Sequence, residues 1–319
     1  HDLQGGPPVT ALLVQNTNPV VVAPDTRRVL QGFARDDLFV CVHEQFMTET
    51  AELADIVLPA TMFLEHDDFY RGGGHTYLQT TRALVTPYAE CRSNHWVLGQ
   101  LASRLGFTHP GFELGERELI DHCLRQSGFG GEQALYDNHW VDCARGFEDD
   151  NFLDGFATPD GRFHFQPDWS RVGEDCTAMP VLPDHMPVAN DVDDAHPFRL
   201  VAAPARQFLN TTFTETRSSR RAERRPTLLI RGDDAASLGI ADGELVRIGN
   251  RLANIRLHAK LFDGMQRGVV IVESIWPNGS FVDGLGVNAL VSSEPGKPNG
   301  GATYHDTAVW IETASAEES

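Results

Sequence analysis

The sequence predicts an α/β unit built on a buried parallel sheet, followed by an all-β barrel. Two observations carry that prediction. Near the start, short apolar runs alternate with capped helical stretches, the pattern of strand–helix–strand units. After Pro197 the dominant period is two residues, and six strand-like runs follow within about 115 residues.

The first apolar run, 9–14, ends in the turn formers Asn16, Asn18 and Pro19 and reads as a buried parallel strand. Asp25 or Thr26 can cap a helix through about Ala34, with Val29, Leu30 and Phe33 on one face. Residues 38–42 form a second apolar run. Thr48 or Thr50 then opens a short helix through Leu53, and 56–58 is a third run, stopped by Pro59. Three such strands with short connections are the sequence form of a Rossmann-like sheet. Further on, Asn94 is read as the cap of a helix carrying Trp96, Val97, Leu101, Ala102 and Leu105, with Gly106 as its left-handed stop. From about 107 to 195 the signal weakens to a connecting region with one hairpin signal at 158–165.

In the last third the predicted strands are 198–203, 227–230, 244–248, 253–262, 268–276 and 307–312. The fourth alternates Ile255, Leu257, Ala259 and Leu261 with Asn254, Arg256, His258 and Lys260. Asp233 or Asp234 is expected to cap a short helix that stops at Gly239, and Asp242-Gly243 marks a tight turn. Six strands and one helix suggest a closed or nearly closed barrel. The expected organisation is therefore 1–110, a Rossmann-like domain lacking its beginning; 111–195, a connector; 196–314, the barrel; and 315–319, an acidic tail.

A formal net charge of −19 argues against nucleic acid as a partner, because a polyanion would be repelled. One basic cluster, Arg217, Arg220, Arg221, Arg224 and Arg225, reads as a solvated loop, with an anion-binding patch as the lesser reading. No run of about 18 apolar residues is present, so no membrane span is expected. The first residues have no signal-peptide pattern. Five scattered cysteines with no metal-ligand spacing exclude a zinc or iron–sulfur motif from this sequence and suit reduced thiols in the cytoplasm.

Ligands of an open parallel sheet bind beyond the carboxyl ends of its strands. Two polar clusters fall there: Gln15, Asn16, Thr17 and Asn18 after the first strand, and His43 and Glu44 after the second, with Thr48 and Thr50 at a helix start. A carboxylate can accept from ribose hydroxyls or a purine edge, and helix-start N–H groups can hold phosphate. Equally, Asn16 and Asn18 can merely shape a turn while Thr48 and Thr50 cap a helix. Glu65, His66, Asp67 and Asp68 read as a solvated loop, and Gly72, Gly73 and Gly74 as a flexible one. No nucleophile–base pair is evident.

The segment Phe46-Met47-Thr48-Glu49-Thr50-Ala51-Glu52-Leu53-Ala54-Asp55-Ile56-Val57-Leu58-Pro59-Ala60 resembles a motif of the bis-molybdopterin-guanine-dinucleotide oxidoreductases, the dimethyl sulfoxide reductase-type family. Residues 234–246 resemble the start of that family's C-terminal barrel, and Val287-Asn288-Ala289-Leu290 its "V-N-x-L". The matches cover 9–106 and 196–313, the C-terminal half of such an enzyme.

The resemblance implies a double-psi barrel closing over pterins, with a Rossmann-like domain gripping a guanine dinucleotide. It implies molybdenum or tungsten on bis-molybdopterin guanine dinucleotide. The metal's protein ligand, and any iron–sulfur cluster, would lie in an N-terminal remainder outside this chain, which is the implied partner beside an electron-transfer protein. The isolated chain is expected to be inactive; the other reading is a separate non-catalytic cofactor-binding or assembly subunit. By position, Asn16, Asn18, His43, Glu44, Thr48, Thr50, His66 and Asn94 fall on the dinucleotide side. Ala203, Arg206, Asn210 and Thr211 fall in the barrel's cofactor-lining segment, where the family's Gly-Arg is missing and Arg206 is the candidate replacement. Asn288 should meet a pterin, with Trp276 and His305 nearby. Asn16, Glu44 and Asn288 are expected around one shared cavity.

Overall fold

The computed structural model describes residues 6–172, 176–182, 184–186, 191–298 and 300–315. The predicted acidic tail lies outside the described residues, apart from Ser315.

β1 (Ala11–Gln15), β2 (Phe39–Glu44) and β3 (Ile56–Pro59) form a three-stranded parallel sheet in that order. Alternation sends Val14, Val40 and Val42 to one face, where they are buried with Ala51 against Leu12, Phe33, Leu38 and Ala54. Two short helices follow β1. α1 (Pro19–Val22) starts with proline at its first position, where a missing N–H is harmless. α2 (Thr26–Phe33) is capped by Asp25, whose side chain accepts from Arg28 N at 3.3 Å. α3 (Glu49–Glu52) is capped by Thr48, which accepts from Ala51 N at 3.3 Å.

β4 (Asp68–Arg71) and β5 (Tyr77–Thr81) form an antiparallel hairpin, turned by Gly72, Gly73 and Gly74. The sequence reading had a solvated loop at 65–68 and a flexible one at 72–74 and no strand between or after them; the paired strands form because Leu78 on β5 has a helical layer to bury against. α4 (Asn94–Arg104) is capped by Ser93, not Asn94, and is followed by Gly106 at φ +78°. That helical layer comes from the predicted connector, which holds α5 (Glu116–Gln126) and α6 (Glu132–Asn138). Ile120, Leu124 and Leu135 are buried on Leu78, and β6 (Val141–Asp142) adds a third strand. Buried Glu132 accepts from Arg82 at 2.8 Å and from Arg117 at 2.7 Å, which holds α6 to the hairpin and keeps its carboxyl below the usual range. α7 (Phe147–Asp150) follows. Residues 158–165 form a turn at Gly161 (φ +66°) without paired strands, so the hairpin expected there is absent.

The last third closes into a six-stranded barrel, as the six predicted runs suggested. Its strands are β7 (Phe198–Pro204), β8 (Thr227–Ile230), β9 (Leu245–Gly249), β10 (Asn254–Leu261), β11 (Val269–Ser274) and β12 (His305–Thr313). Around the barrel the order is β10-β8-β11-β7-β12-β9, with parallel pairs β10–β8 and β11–β7. Leu200, Leu228, Ile230, Val246, Ile248, Ile255, Leu257, Val270, Val272 and Val309 fill the interior. The alternation in β10 fails at two places. Leu261 is exposed, and Arg256 is buried, because Asp283 meets its guanidinium Nε at 2.8 Å.

Of the arginine cluster, Arg217, Arg220 and Arg221 lie on a helix, α8 (Arg217–Glu223), and Arg224 and Arg225 follow it; Arg220 donates to Thr214 O. α9 (Gly232–Leu238) has Arg231 at its cap position, with Asp233 and Asp234 in the first turn, where carboxylates suit the helix dipole. Gly239 closes it at φ +71° as expected. Among the described residues no helix is long and apolar enough to cross a membrane.

Candidate functional site

The site begins with α1. A helix of one turn leaves its last carbonyls without partners, and a buried carbonyl left so is costly. Here the barrel supplies the donors. Asn278 Nδ2 donates to Val20 O at 3.1 Å, Asn288 Nδ2 to Val21 O at 2.8 Å and Val22 O at 3.1 Å, and Tyr304 OH to Val22 O at 3.0 Å. Asp25 N completes the contact on Asn288 O and Val291 O, both at 2.9 Å.

α3 joins the same clasp. Asn18 Oδ1 accepts from Thr50 Oγ1 at 2.7 Å and from Thr50 N at 3.3 Å, while its Nδ2 donates to Glu49 Oε2 at 2.9 Å. The other Glu49 oxygen accepts from Asn278 N at 3.1 Å. Asn18, Thr50, Asn278 and Asn288 are all buried. The helix-start donors that a phosphate would need at α3 are thus held by Asn18 and Thr48, and α3 has one turn only.

Beside the clasp lies a cleft of about 400 Å³. Val22 forms one wall; Ala202, Ala203, Pro204, Asn210, Ile275, Val287, Asn288, Tyr304 and His305 form the rest. Of the expected barrel residues, Ala203, Asn210, Asn288 and His305 line it together. Asn210 stands at φ +51°, in the left-handed region asparagine tolerates, and His305 is exposed next to a β-bulge. Thr211 uses its carbonyl to accept from Thr214 Oγ1 at 2.7 Å, and Arg206 is exposed outside the cleft lining. Trp276 is buried edge-on to Phe208, ring centres 4.9 Å apart, as part of the barrel core.

The strand ends carry a separate network. His43 is fully buried: its Nε2 lies 3.0 Å from Arg92 O and its Nδ1 3.2 Å from Gln15 Nε2. Burial holds the imidazole below its ordinary pKa, so it stays neutral, donating to Arg92 O and accepting from Gln15. Glu44 is half-buried and accepts from Gln45 N at 2.7 Å; burial pushes its carboxyl up. Asn16 turns the chain at φ +49° and donates to Asn94 Oδ1 at 3.3 Å. His66 Nδ1 is 2.8 Å from Thr61 Oγ1. Asn16, Glu44 and Asn288 therefore do not share one cavity: only Asn288 borders the cleft, and residues 18–22 join it to the strand ends. The cause is the clasp, which fills the space between strand ends and barrel with protein hydrogen bonds.

Sequence reasoning missed Glu49, Asn278 and Tyr304. Glu49 sat inside a quoted motif without a role, and no local signal marks the other two. Among the described residues no cluster of three His, Cys, Asp or Glu could hold a metal ion.

Comparison with known proteins fits this architecture. Residues 5–104 match the family model "Molybdopterin oxidoreductase" and 198–308 match "Molydopterin dinucleotide binding domain". The chain belongs to the molybdopterin oxidoreductase family, whose cofactor is bis-molybdopterin guanine dinucleotide with molybdenum or tungsten. It is 34% identical to "Probable oxidoreductase YoaE" of Bacillus subtilis, over 97% of this chain and 45% of that protein. It is 29% identical to "Dimethyl sulfoxide/trimethylamine N-oxide reductase" of Rhodobacter capsulatus, over 81% of this chain and 35% of that one. The solved acetylene hydratase from Pelobacter acetylenicus superposes with a TM-score of 0.79 at 19% identity, over 98% of this chain and 45% of that chain, which shows a shared fold. The chain spans less than half the length of these relatives.

The cleft's chemistry suits a pterin. Ala202 and Ala203 leave room where larger side chains would fill it, Val22, Ile275 and Val287 give apolar walls, and a few polar groups converge from the rim. Its size takes one ring system rather than a whole dinucleotide.

Proposed function

We propose that this chain is the cofactor-gripping portion of a molybdopterin-dependent oxidoreductase, with the metal's protein ligand supplied by polypeptide outside these 319 residues. The observation that carries the reading is the cleft whose walls come from both α1 and the barrel, with Asn288 serving clasp and cleft at once. In this reading the sheet is Rossmann-like, the barrel is double-psi, and the enzyme works in the cytoplasm with an electron-transfer partner.

Asn210, Tyr304 and His305 would offer hydrogen bonds to the pterin edge, and Ala203 would lie against its face. The half-buried Glu44 would accept from a nucleotide's sugar or base at the β2 end. When bound, the metal and its dithiolenes supply the redox chemistry. The chain's own contribution is to hold that group between two units and keep water from its buried side.

The test is a fluorescence titration of the purified chain with molybdopterin dinucleotide released from an enzyme of the family. Tight binding is expected, and Ala203→Trp, which fills the cleft, should weaken it at least tenfold while far-ultraviolet circular dichroism stays unchanged. A wild-type chain that does not bind, or a tryptophan variant that binds equally well, overturns the reading. The purified chain is expected to show no dye-linked turnover; stoichiometric molybdenum with turnover would refute the assignment of the metal ligand elsewhere.

A further inference from the structure

The arginines that follow α8 have no role in holding the fold. The chain carries 45 acidic side chains against 26 lysines and arginines, so a cation without an acidic partner needs a reason. Among the described residues Arg224, Arg225 and Lys260 make no side-chain ion pair or hydrogen bond, yet all three line one cleft of about 660 Å³. Arg224 and Arg225 come from the turn between α8 and β8, and Lys260 from β10, the neighbour of β8 in the barrel. That turn is tied down. Glu223 Oε1 accepts from Gln207 N at 2.6 Å, Arg220 donates to Thr214 O, and Arg224 N donates to Arg220 O at 2.8 Å. Arg224 itself stands at φ +70° and ψ −75°, a backbone state that glycine adopts far more readily than arginine. Strain of this kind collects at ligand clamps, where position matters more than stability.

We propose that this cleft binds a small phosphate-bearing anion, with Arg224, Arg225 and Lys260 as its donors. Two guanidinium forks and an ammonium bring many uncommitted N–H groups to one place, and their bonds to phosphate oxygens are of the strong, charge-assisted kind. Three carboxylates also line the cleft. Two of them are fixed on backbone N–H groups: Glu223 on Gln207, as above, and Asp242, whose Oδ1 accepts from Leu261 N at 2.8 Å. Glu273 of β11 is the lining carboxylate with no hydrogen bond among the described residues, and its charge opposes an anion. The field of Arg225 already reaches β10: burial first, and then that charge, hold the His258 imidazole below its ordinary pKa. The cleft is concave and of small-molecule size, with room for an organic group beside the phosphate. It shares no lining residue with the cleft at Asn288, so the inference does not rest on the cofactor reading.

The test is isothermal titration calorimetry of the purified chain with inorganic phosphate, pyrophosphate and phenyl phosphate at low ionic strength. One ion should bind per chain. Arg225→Ser, and separately Lys260→Gln, should weaken binding at least about tenfold, the loss of one charge-assisted bond. Arg224→Gly should weaken it as much while the thermal midpoint holds or rises, because glycine relieves the backbone; a merely structural arginine would not separate the two readouts. Glu273→Gln should tighten binding by removing the opposing charge. Phenyl phosphate binding more tightly than inorganic phosphate assigns a phosphate ester, and equal binding assigns the free ion. The proposal is overturned if none of the three binds, if the arginine and lysine variants bind like wild type, or if potassium chloride at equal ionic strength gives the same heat. Displacement of bound phosphate by molybdopterin dinucleotide also overturns it, since the cleft would then belong to the cofactor site.

Discussion

The side-chain amide of Asn278 donates to the carbonyl of Val20, 258 residues earlier in the chain, at 3.1 Å. With Asn288 and Tyr304 it supplies the donors for the last carbonyls of α1, which the helix's own cap, the Ala23 N–H on Pro19 O, leaves unmet.

Asn288→Ala should therefore destabilise the protein by about 1–3 kcal/mol, because it strands the Val21 carbonyl and leaves that of Val22 to Tyr304 alone, while removing little apolar surface. Urea unfolding followed by tryptophan fluorescence should show a lower midpoint. Combined with Asn278→Ala, the losses should not add, since the two residues hold one short helix. Strict additivity would mean that the clasp is not a unit.

The Arg256–Asp283 pair, with Arg256 buried, gives a second prediction. Asp283→Ala removes the carboxylate that meets the buried Arg256 guanidinium and should cost about 1.5–3 kcal/mol, the range of a hydrogen bond to a charged group. Replacing both partners, as Arg256→Met with Asp283→Ala, should recover most of that loss in the same unfolding assay. If the double variant is no better than the single, the destabilisation comes from elsewhere.

Gly249 faces Trp310 across the β9–β12 pair, and a Cβ there would meet the indole Cε2 at 2.7 Å and Asn254 Cβ at 2.9 Å. Gly249→Ala should cost about 1–3 kcal/mol through overpacking, and Trp310→Leu should relieve part of it in the double variant. A thermal melt that does not move with Gly249→Ala would show that the strands shift freely.

His43 predicts a pH effect. Burial lowers its pKa below the ordinary 6.5, so the unfolded chain takes up the proton first as pH falls. The stability it contributes is complete above 6.5 and declines as pH drops from there through the folded value. His43→Gln retains a side-chain donor for Arg92 O and should flatten the denaturation midpoint as pH falls below 6.5. Glu44 acts in the opposite sense: its raised pKa makes the folded state hold its proton longer, which offsets part of the loss as pH approaches 4.5. A His43→Gln profile parallel to wild type would remove the histidine from this account.

Elements with strong local signals were legible in the sequence: all six barrel strands, the three parallel strands, and the Gly106 and Gly239 stops; Ala203, Asn210, Asn288 and His305, which line the cleft, were singled out by the family resemblance alone. Elements whose reason is a distant partner were not. β4 and β5 were not read as strands, since only Leu78 and Thr80 are buried in them, and what buries Leu78 is α5 and α6, some 40 residues on. Arg256 looked like a solvent position until Asp283 was seen beside it. Asn18, Thr50 and Asn288 have the residue types of ligand contacts, yet their hydrogen-bonding groups face one another across the clasp. Sequence spacing cannot distinguish an amide that meets a ligand from one that meets a carbonyl two hundred residues away.

The dependence of α1 on Asn278, Asn288 and Tyr304 also orders events during synthesis. Ribosomes release a protein from its amino end, and contacts between far-separated residues must wait for the later partner to emerge. The turn after β1 cannot reach its final state until nearly the whole chain has been made. Until Tyr304 has emerged, that stretch carries Val20, Val21 and their carbonyls without the barrel groups that meet them.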